Sequence, residues 1–153
     1  MTHTDPSDAA DGDLISGVIH RLDHGFYQAA NRRLKQLELT MPQAIVLKFL
    51  HDHEGTCINQ RAIEELMHIS NPSVTSLMRN MEEKGLLVRR RDAKDARSYR
   101  IEITDYGRVA DEKVGGVILE SDRQLLAGLT EHERRDLRRV LQRMLENLEG
   151  AGV

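Results

Sequence analysis

A short helix, a tight turn, a second helix and a strongly basic hairpin follow one another in the middle of this 153-residue chain. That order predicts a mostly α fold, a winged helix-turn-helix with N- and C-terminal dimerisation helices and a small β-hairpin wing. Two further observations support it. Aromatics are 3% with no Trp, so aliphatic side chains at helical spacing must build the core. The two end segments each carry a one-sided apolar stripe that needs a partner surface. The expected organisation is a disordered tail over 1–12, a helical dimerisation region over 13–39 and 105–149, and a winged helix-turn-helix over 40–104.

The first helix is expected from Asp13 to Leu39, where Leu14, Ile15, Val18, Ile19 and Leu22 fall on one face. Thr40-Met41-Pro42-Gln43 has the form of a capping box and starts a second helix with a broad apolar surface, Ile45, Val46, Leu47, Phe49 and Leu50. It ends before Gly55. Asn59 caps a short third helix, Gln60 to His68, expected to bury Ile63, Leu66 and Met67. Ser70 or Asn71 caps the fourth, with Pro72 in its first turn. That helix runs to Lys84, and Gly85 suits the position just beyond it.

Leu86–Arg91 and Ser98–Ile103 read as two strands around a polar turn. Thr104 caps a fifth helix, which the Gly115-Gly116 pair is expected to weaken or bend. Thr130-Glu131-His132-Glu133 is a second capping box. It opens a last helix whose Leu137, Val140, Leu141, Met144, Leu145 and Leu148 form a long stripe. Leu14, Ile15 and Val18 with Leu137, Leu141 and Leu145 are the candidates for a shared dimer interface.

Composition narrows the function classes. Hydrophobic residues at 39% and charged residues at 31% describe an ordinary soluble chain, and no apolar run approaches the ~20 residues of a membrane span. The polar, acidic start lacks a basic region and an apolar core, so no secretory signal is expected. With one cysteine, Cys57, there is no disulfide framework. A cytoplasmic protein without membrane contact follows.

The net charge of −3 conceals a local basic cluster. Between Lys84 and Arg100 seven basic residues stand against two acids. Affinity for phosphates follows the local field at a contact surface. A solvated charged hairpin is the plain alternative.

The fourth helix meets the two demands on a helix that enters a major groove. Val74, Leu77, Met78 and Met81 form a stripe to bury, and the opposite side is short and polar. Asn71, Ser73, Thr75, Ser76, Arg79 and Asn80 are the candidates for contacting double-stranded DNA. Glu82 and Glu83 lie at the far end, where they would repel phosphate, so the N-terminal half is expected to insert. On the hairpin, Arg97 suits the narrow minor groove, with Asp95 orienting its guanidinium. Arg91 and Lys94, with Arg89 and Arg90, are candidates for phosphate. Strand alternation must turn some of these arginines away.

The segments Ile69-Ser70-Asn71-Pro72-Ser73-Val74-Thr75-Ser76-Leu77 and Met81-Glu82-Glu83-Lys84-Gly85-Leu86-Leu87, followed by Asp95-Ala96-Arg97 and Ile103-Thr104-Asp105-Tyr106-Gly107, resemble the MarR family of bacterial regulators. The wing pattern is Asp-x-Arg, a Thr seven residues after that Arg, and a Gly three later. The likeness covers about residues 13–148. Ile103 stands where the family usually has Leu, and Pro72 where many members carry a polar or basic residue. The resemblance implies a homodimer held by its first and last helices, a palindromic operator, and Arg97 in the minor groove. It also implies a small-molecule effector or other signal that changes the spacing of the two DNA-reading lobes. The pocket for that signal would lie where the dimer helices meet the DNA lobe.

No residue names the signal. Cys57, beside Ile58, is expected to be a small buried hydrophobe, with redox sensing as the alternative. His20 and His24 share a helical face, and His51 and His53 lie near the end of the second helix. Neither pair has a nearby Cys or an HExxH motif, so no metal and no cofactor is assigned. A winged-helix protein-interaction module, or a metal- or redox-sensing family member, stays open. No nucleophile–base pair, phosphate-binding glycine loop or metal motif points to an enzyme.

Overall fold

The computed structural model describes residues 14–92 and 99–150. Six helices and one hairpin follow in order: α1 Ile15–Leu34, α2 Met41–Asp52, α3 Gln60–Met67, α4 Asn71–Glu83, β1 Leu87–Arg91, β2 Tyr99–Ile103, α5 Asp105–Leu125 and α6 Glu131–Gly150. The expected tail over 1–12 and the hairpin turn lie outside the described residues. The mostly α fold with a two-stranded antiparallel hairpin is the one the sequence predicts.

The first helix stops earlier than its apolar pattern suggests. After Leu34 a single 3-10 turn, Lys35–Leu37, leads to Glu38 in a left-handed conformation. The N–H of Leu39 then returns to the Leu34 carbonyl (3.0 Å), and Leu39 is buried. Lys84 fastens the turn from outside by donating to the Glu38 carbonyl at 2.6 Å.

Caps set the next boundaries. Gln43 Oε1 accepts from the Thr40 N–H while the Thr40 hydroxyl accepts from the Gln43 N–H, so α2 starts with a complete capping box. Asn59 caps α3 through the Ala62 N–H. His68, in a left-handed conformation, ends α3 one residue earlier than expected. Ser70 is the cap residue of α4, without a side-chain cap bond, and Pro72 sits in the first turn. At its other end the Leu86 N–H reaches the Met81 carbonyl and the Gly85 N–H reaches that of Glu82. This left-handed closure needs Gly85, whose φ is +71°.

Leu87 pairs with Ile103, Arg89 with Ile101 and Arg91 with Tyr99 across the hairpin. Strand alternation puts Leu87, Ile101 and Ile103 on the inner face, and all three are buried. The Ile101 N–H also donates to the Ile58 carbonyl at 2.8 Å, tying β2 to the segment before α3. The core joins these residues to Val46, Leu47 and Leu50 of α2, Ile63 of α3, Val74, Met78 and Met81 of α4, and Ala110 and Val114 of α5. Leu77 and Met67 are only partly buried, and Leu66 is exposed.

The motif after β2 is a lock. The Thr104 N–H donates to the Leu86 carbonyl, and its hydroxyl donates to the Gly85 carbonyl and accepts from the Gly107 N–H. Gly107 packs directly on the Leu86 carbonyl; a Cβ there would overlap that oxygen and approach Ile103 Cγ1 to 2.8 Å. Helix α5 continues through Gly115-Gly116 without a break in its assigned span. Thr130 and Glu133 form the capping box of α6. No residue of α6 is buried.

Two outcomes test this packing. Gly107→Ala is expected to destabilise by about 1–3 kcal/mol, the cost of forcing a methyl into a filled site. Chemical denaturation of the variant checks it, and an unchanged midpoint would refute the close approach. The second concerns Glu82, whose carboxylate takes two bonds from the Arg89 guanidinium and one from its N–H. The Arg89 side chain holds the carboxyl below its ordinary range, against the opposing effect of burial. A depressed carboxyl stabilises the fold above its unfolded pKa and loses that contribution as pH falls through its folded one. The stability gap between wild type and Glu82→Gln is therefore widest near neutrality. It closes as pH drops below about 4, the ordinary range of Glu. Unfolding curves at several pH values measure it; a gap constant with pH would count against the pair.

Candidate nucleic-acid interface

Helix α4 is held along its sides and bare along its outer face. Ser73, Ser76 and Arg79 are exposed. Neither Ser76 nor Arg79 makes a side-chain hydrogen bond or ion pair among the described residues. Ser73 meets the Ser70 hydroxyl at 3.2 Å. Short hydroxyl side chains at the helix start leave room for a close approach to a groove wall.

The other candidates on this helix are already engaged. Gln60 Nε2 of α3 donates to the Thr75 hydroxyl at 2.8 Å, and that hydroxyl donates to Asn71 Oδ1. Asn71 Nδ2 in turn donates to Glu64 Oε1 at 2.7 Å. This polar seam fixes the crossing of α3 and α4. Asn80 accepts from the buried Gln43 of α2 at 2.6 Å. Gln43 Oε1, besides closing the α2 cap, lies 3.4 Å from the Lys84 ammonium. One buried amide thus joins the start of α2 to the far half of α4.

The hairpin sorts its arginines as alternation requires. Arg89 is spent on Glu82 and binds the wing to α4. Arg90 and Arg100 face each other on the opposite side and share Glu102, at 3.2 and 3.6 Å. Arg91 is exposed at the end of β1, opposite Tyr99. Lys94, Asp95 and Arg97 lie outside the described residues.

Gln43, Gln60, Glu64, Glu82 and Lys84 hold α4 in place and were not singled out as site residues from the sequence. Their partners lie in other elements, so no local spacing marks them. Gln43 did carry a signal, its place in the capping box, but that accounts for only one of its bonds. Cys57 differs from expectation: it is exposed, with Sγ 3.5 Å from Asp92 Oδ2, while the neighbouring Ile58 fills the core site. The segment before α3 is extended, so consecutive side chains point to opposite sides.

The stripes proposed for dimerisation are uncovered in the single chain. Leu14, Ile15 and Val18 of the first segment and Leu137, Leu141 and Leu145 of α6 are all exposed. His20 and His24 are exposed, and His24 meets Gln28. No group of three or more His, Cys, Asp or Glu side chains is placed to hold a metal among the described residues. Among those residues no helix is long and apolar enough to cross a membrane.

A cavity of about 800 Å³ opens between α2 and α5, with Leu66 of α3 at its edge. Its walls are mainly apolar. Asp111 of α5 lines it, 7% exposed, and meets His51 Nδ1 at 2.7 Å through Oδ2.

Comparison with known proteins agrees with this geometry. The profile of the MarR family matches residues 37–98, from the turn before α2 to the hairpin. The organic hydroperoxide resistance transcriptional regulator of Bacillus subtilis is 29% identical over 118 residues, covering 75% of this chain and 76% of that protein. Staphylococcus aureus MepR, a transcription regulator of the multidrug efflux pump MepA, superposes with a TM-score of 0.78 at 28% identity, over 88% of this chain and 98% of that one. A mutant form of MepR bound to an oligodeoxyribonucleotide is 30% identical over the same shares, with a TM-score of 0.64. With its fold and these relatives in accord, the chain belongs to the MarR family of DNA-binding transcriptional regulators.

Proposed function

We propose that the chain works as a homodimeric repressor that binds a palindromic operator in the cytoplasm and releases it in response to a small molecule. The observation that carries this reading is the outer face of α4. Ser73, Ser76 and Arg79 project from a helix clamped by α2, α3 and β1, beside a hairpin on which Arg90 and Arg91 are exposed. In this reading the N-terminal half of α4 enters a major groove, with Arg79 contacting guanine or phosphate. Asn71 and Thr75 reach DNA from their fixed seam, and Asn80 serves both Gln43 and the backbone of the operator. Arg91 and Lys94 contact phosphates, and Arg97, steadied by Asp95, enters the adjacent minor groove.

The apolar stripes favour a dimer. Exposed apolar surface of this extent on two long helices is what a partner subunit covers. The region over 13–39 and 105–149 then forms the dimer body, and 40–104 the reading unit. Two-fold symmetry places the reading helices one or more helical turns apart, roughly 34–36 Å or a multiple. The α2–α5 cavity lies between body and reading unit, where a bound molecule changes the separation of the two helices.

Selection of bound fragments from genomic DNA, followed by titration against the best site and random duplex, tests the regulator reading. A site bound no better than random would refute it. Arg79→Ala and Arg97→Ala are each expected to weaken operator binding by about 1–3 kcal/mol, the scale of one good groove contact. Unchanged affinity removes that residue from the interface. Leu141→Asp with Leu145→Asp is expected to give a monomer by sedimentation and to abolish binding to the full palindrome while leaving the reading unit folded. A persistent dimer would exclude α6 from the interface.

A further inference from the structure

We propose that the α2–α5 cavity is a receptor for a lipophilic monocation, with Asp111 as its counter-charge; the proposal rests on the small-molecule response inferred above. Three observations carry it, and each concerns a different property of the cavity.

The first is shape and surface. Ile45 and Phe49 of α2, Leu66 of α3, and Val114, Ile118 and Leu119 of α5 form an apolar bed. Ile45, Leu66 and Leu119 stay exposed in the folded chain. A volume near 800 Å³ suits a drug-sized molecule. Gly115 adds room on the α5 side, since no side chain rises from that turn.

The second is charge. Four carboxylates, those of Asp52, Asp111, Glu112 and Asp122, line the cavity against one ammonium, that of Lys48. Asp52 already holds that ammonium at 2.6 Å. An anionic ligand would enter an acidic setting whose only lysine is engaged. A cation is drawn in and meets the Phe49 ring among the lining residues.

The third is a buried acceptor with an unmet bond. Asp111 is the one acid of the four that is buried. His51 takes Oδ2, but Oδ1 is enclosed and has no hydrogen-bond partner among the described residues. A carboxylate in an apolar wall is costly unless each oxygen is matched. A small rotation of the carboxylate brings Oδ1 to the N–H of a protonated amine, giving a charge-assisted bond in a region of low dielectric. A neutral molecule of the same shape cannot supply that charge.

The cavity is also wired to the reading helix. Its α2 wall begins at the turn that carries Gln43, which bonds Asn80 of α4. A ligand that shifts α2 against α5 therefore moves a bond to the DNA-reading helix.

The test uses full-length protein and three fluorescent probes. Dansylcadaverine is cationic, its N-acetyl derivative is a neutral near-isostere, and anilinonaphthalenesulfonate is anionic. Wild type is expected to bind the cation at least about tenfold more tightly than the neutral probe, the worth of one charge-assisted bond. Asp111→Asn brings the two within about twofold. Ile118→Trp, which fills the cavity, removes binding of both. Should Asp111→Asn not fold, the exposed pair Glu112→Gln with Asp122→Asn decides; it should lower the cation preference severalfold and make it less sensitive to salt. Equal binding of cation and neutral probe, preference for the anion, or a preference unmoved in the decisive variant overturns the proposal. Specific DNA binding measured on the same sample separates the two readings. An intact operator complex without cation preference refutes the receptor alone, and a cation preference without specific DNA binding refutes the regulator.

Discussion

One helix must be immobile on three sides and bare on the fourth, and the rest of the fold follows from that constraint. Val74, Met78 and Met81 anchor α4 in the core by burial. Apolar contact alone would leave the helix free to roll, because burial is not directional. Direction comes from polar groups: Gln60 and Glu64 on the α3 side, Gln43 on the α2 side, and Arg89 through Glu82 on the wing side. Each bond uses a donor or acceptor that lies off the outer face. Ser76 and Arg79 are thereby held in orientation without being consumed.

The sequence made local structure readable where a boundary is encoded by its own neighbours. Thr40 with Gln43, Asn59, Gly85, Thr104 and Thr130 with Glu133 all do in the fold what their spacing suggests. The order of helix, turn, helix and hairpin identified the architecture for the same reason. Long-range polar pairs were not readable. Gln60 and Thr75, Gln43 and Asn80, and Glu82 and Arg89 meet only because different elements pack together, and periodicity reports only which face of one element is apolar. The exposure of Cys57 was missed because burial was assigned from the neighbour Ile58, although the two consecutive side chains differ, Cys57 exposed and Ile58 buried. The early stop of α1 was missed because Glu38 adopts a left-handed turn without the glycine or asparagine that usually announces one.

Helix α6 stands apart from this economy. It draws order from its capping box and from short-range pairs such as His132 with Asp136 and Arg134 with Glu131. A twenty-residue helix sustained by such terms alone is marginal in water. In a homodimer its leucines would find the burial they lack within one chain. Folding of the helix and association of the subunits would then be a single process. The body that sets the distance between two reading helices would depend on protein concentration.

The Glu82–Arg89 pair bears on how the interface is read thermodynamically. Counterion release on binding counts only cations that neutralise phosphates, not those whose charge is already matched within the protein. Arg89 is matched by Glu82, and Arg90 and Arg100 share Glu102. The run of three arginines in β1 therefore overstates the electrostatic valence of the wing. The ionic-strength slope of operator affinity should reflect a smaller number of ions than the written sequence suggests.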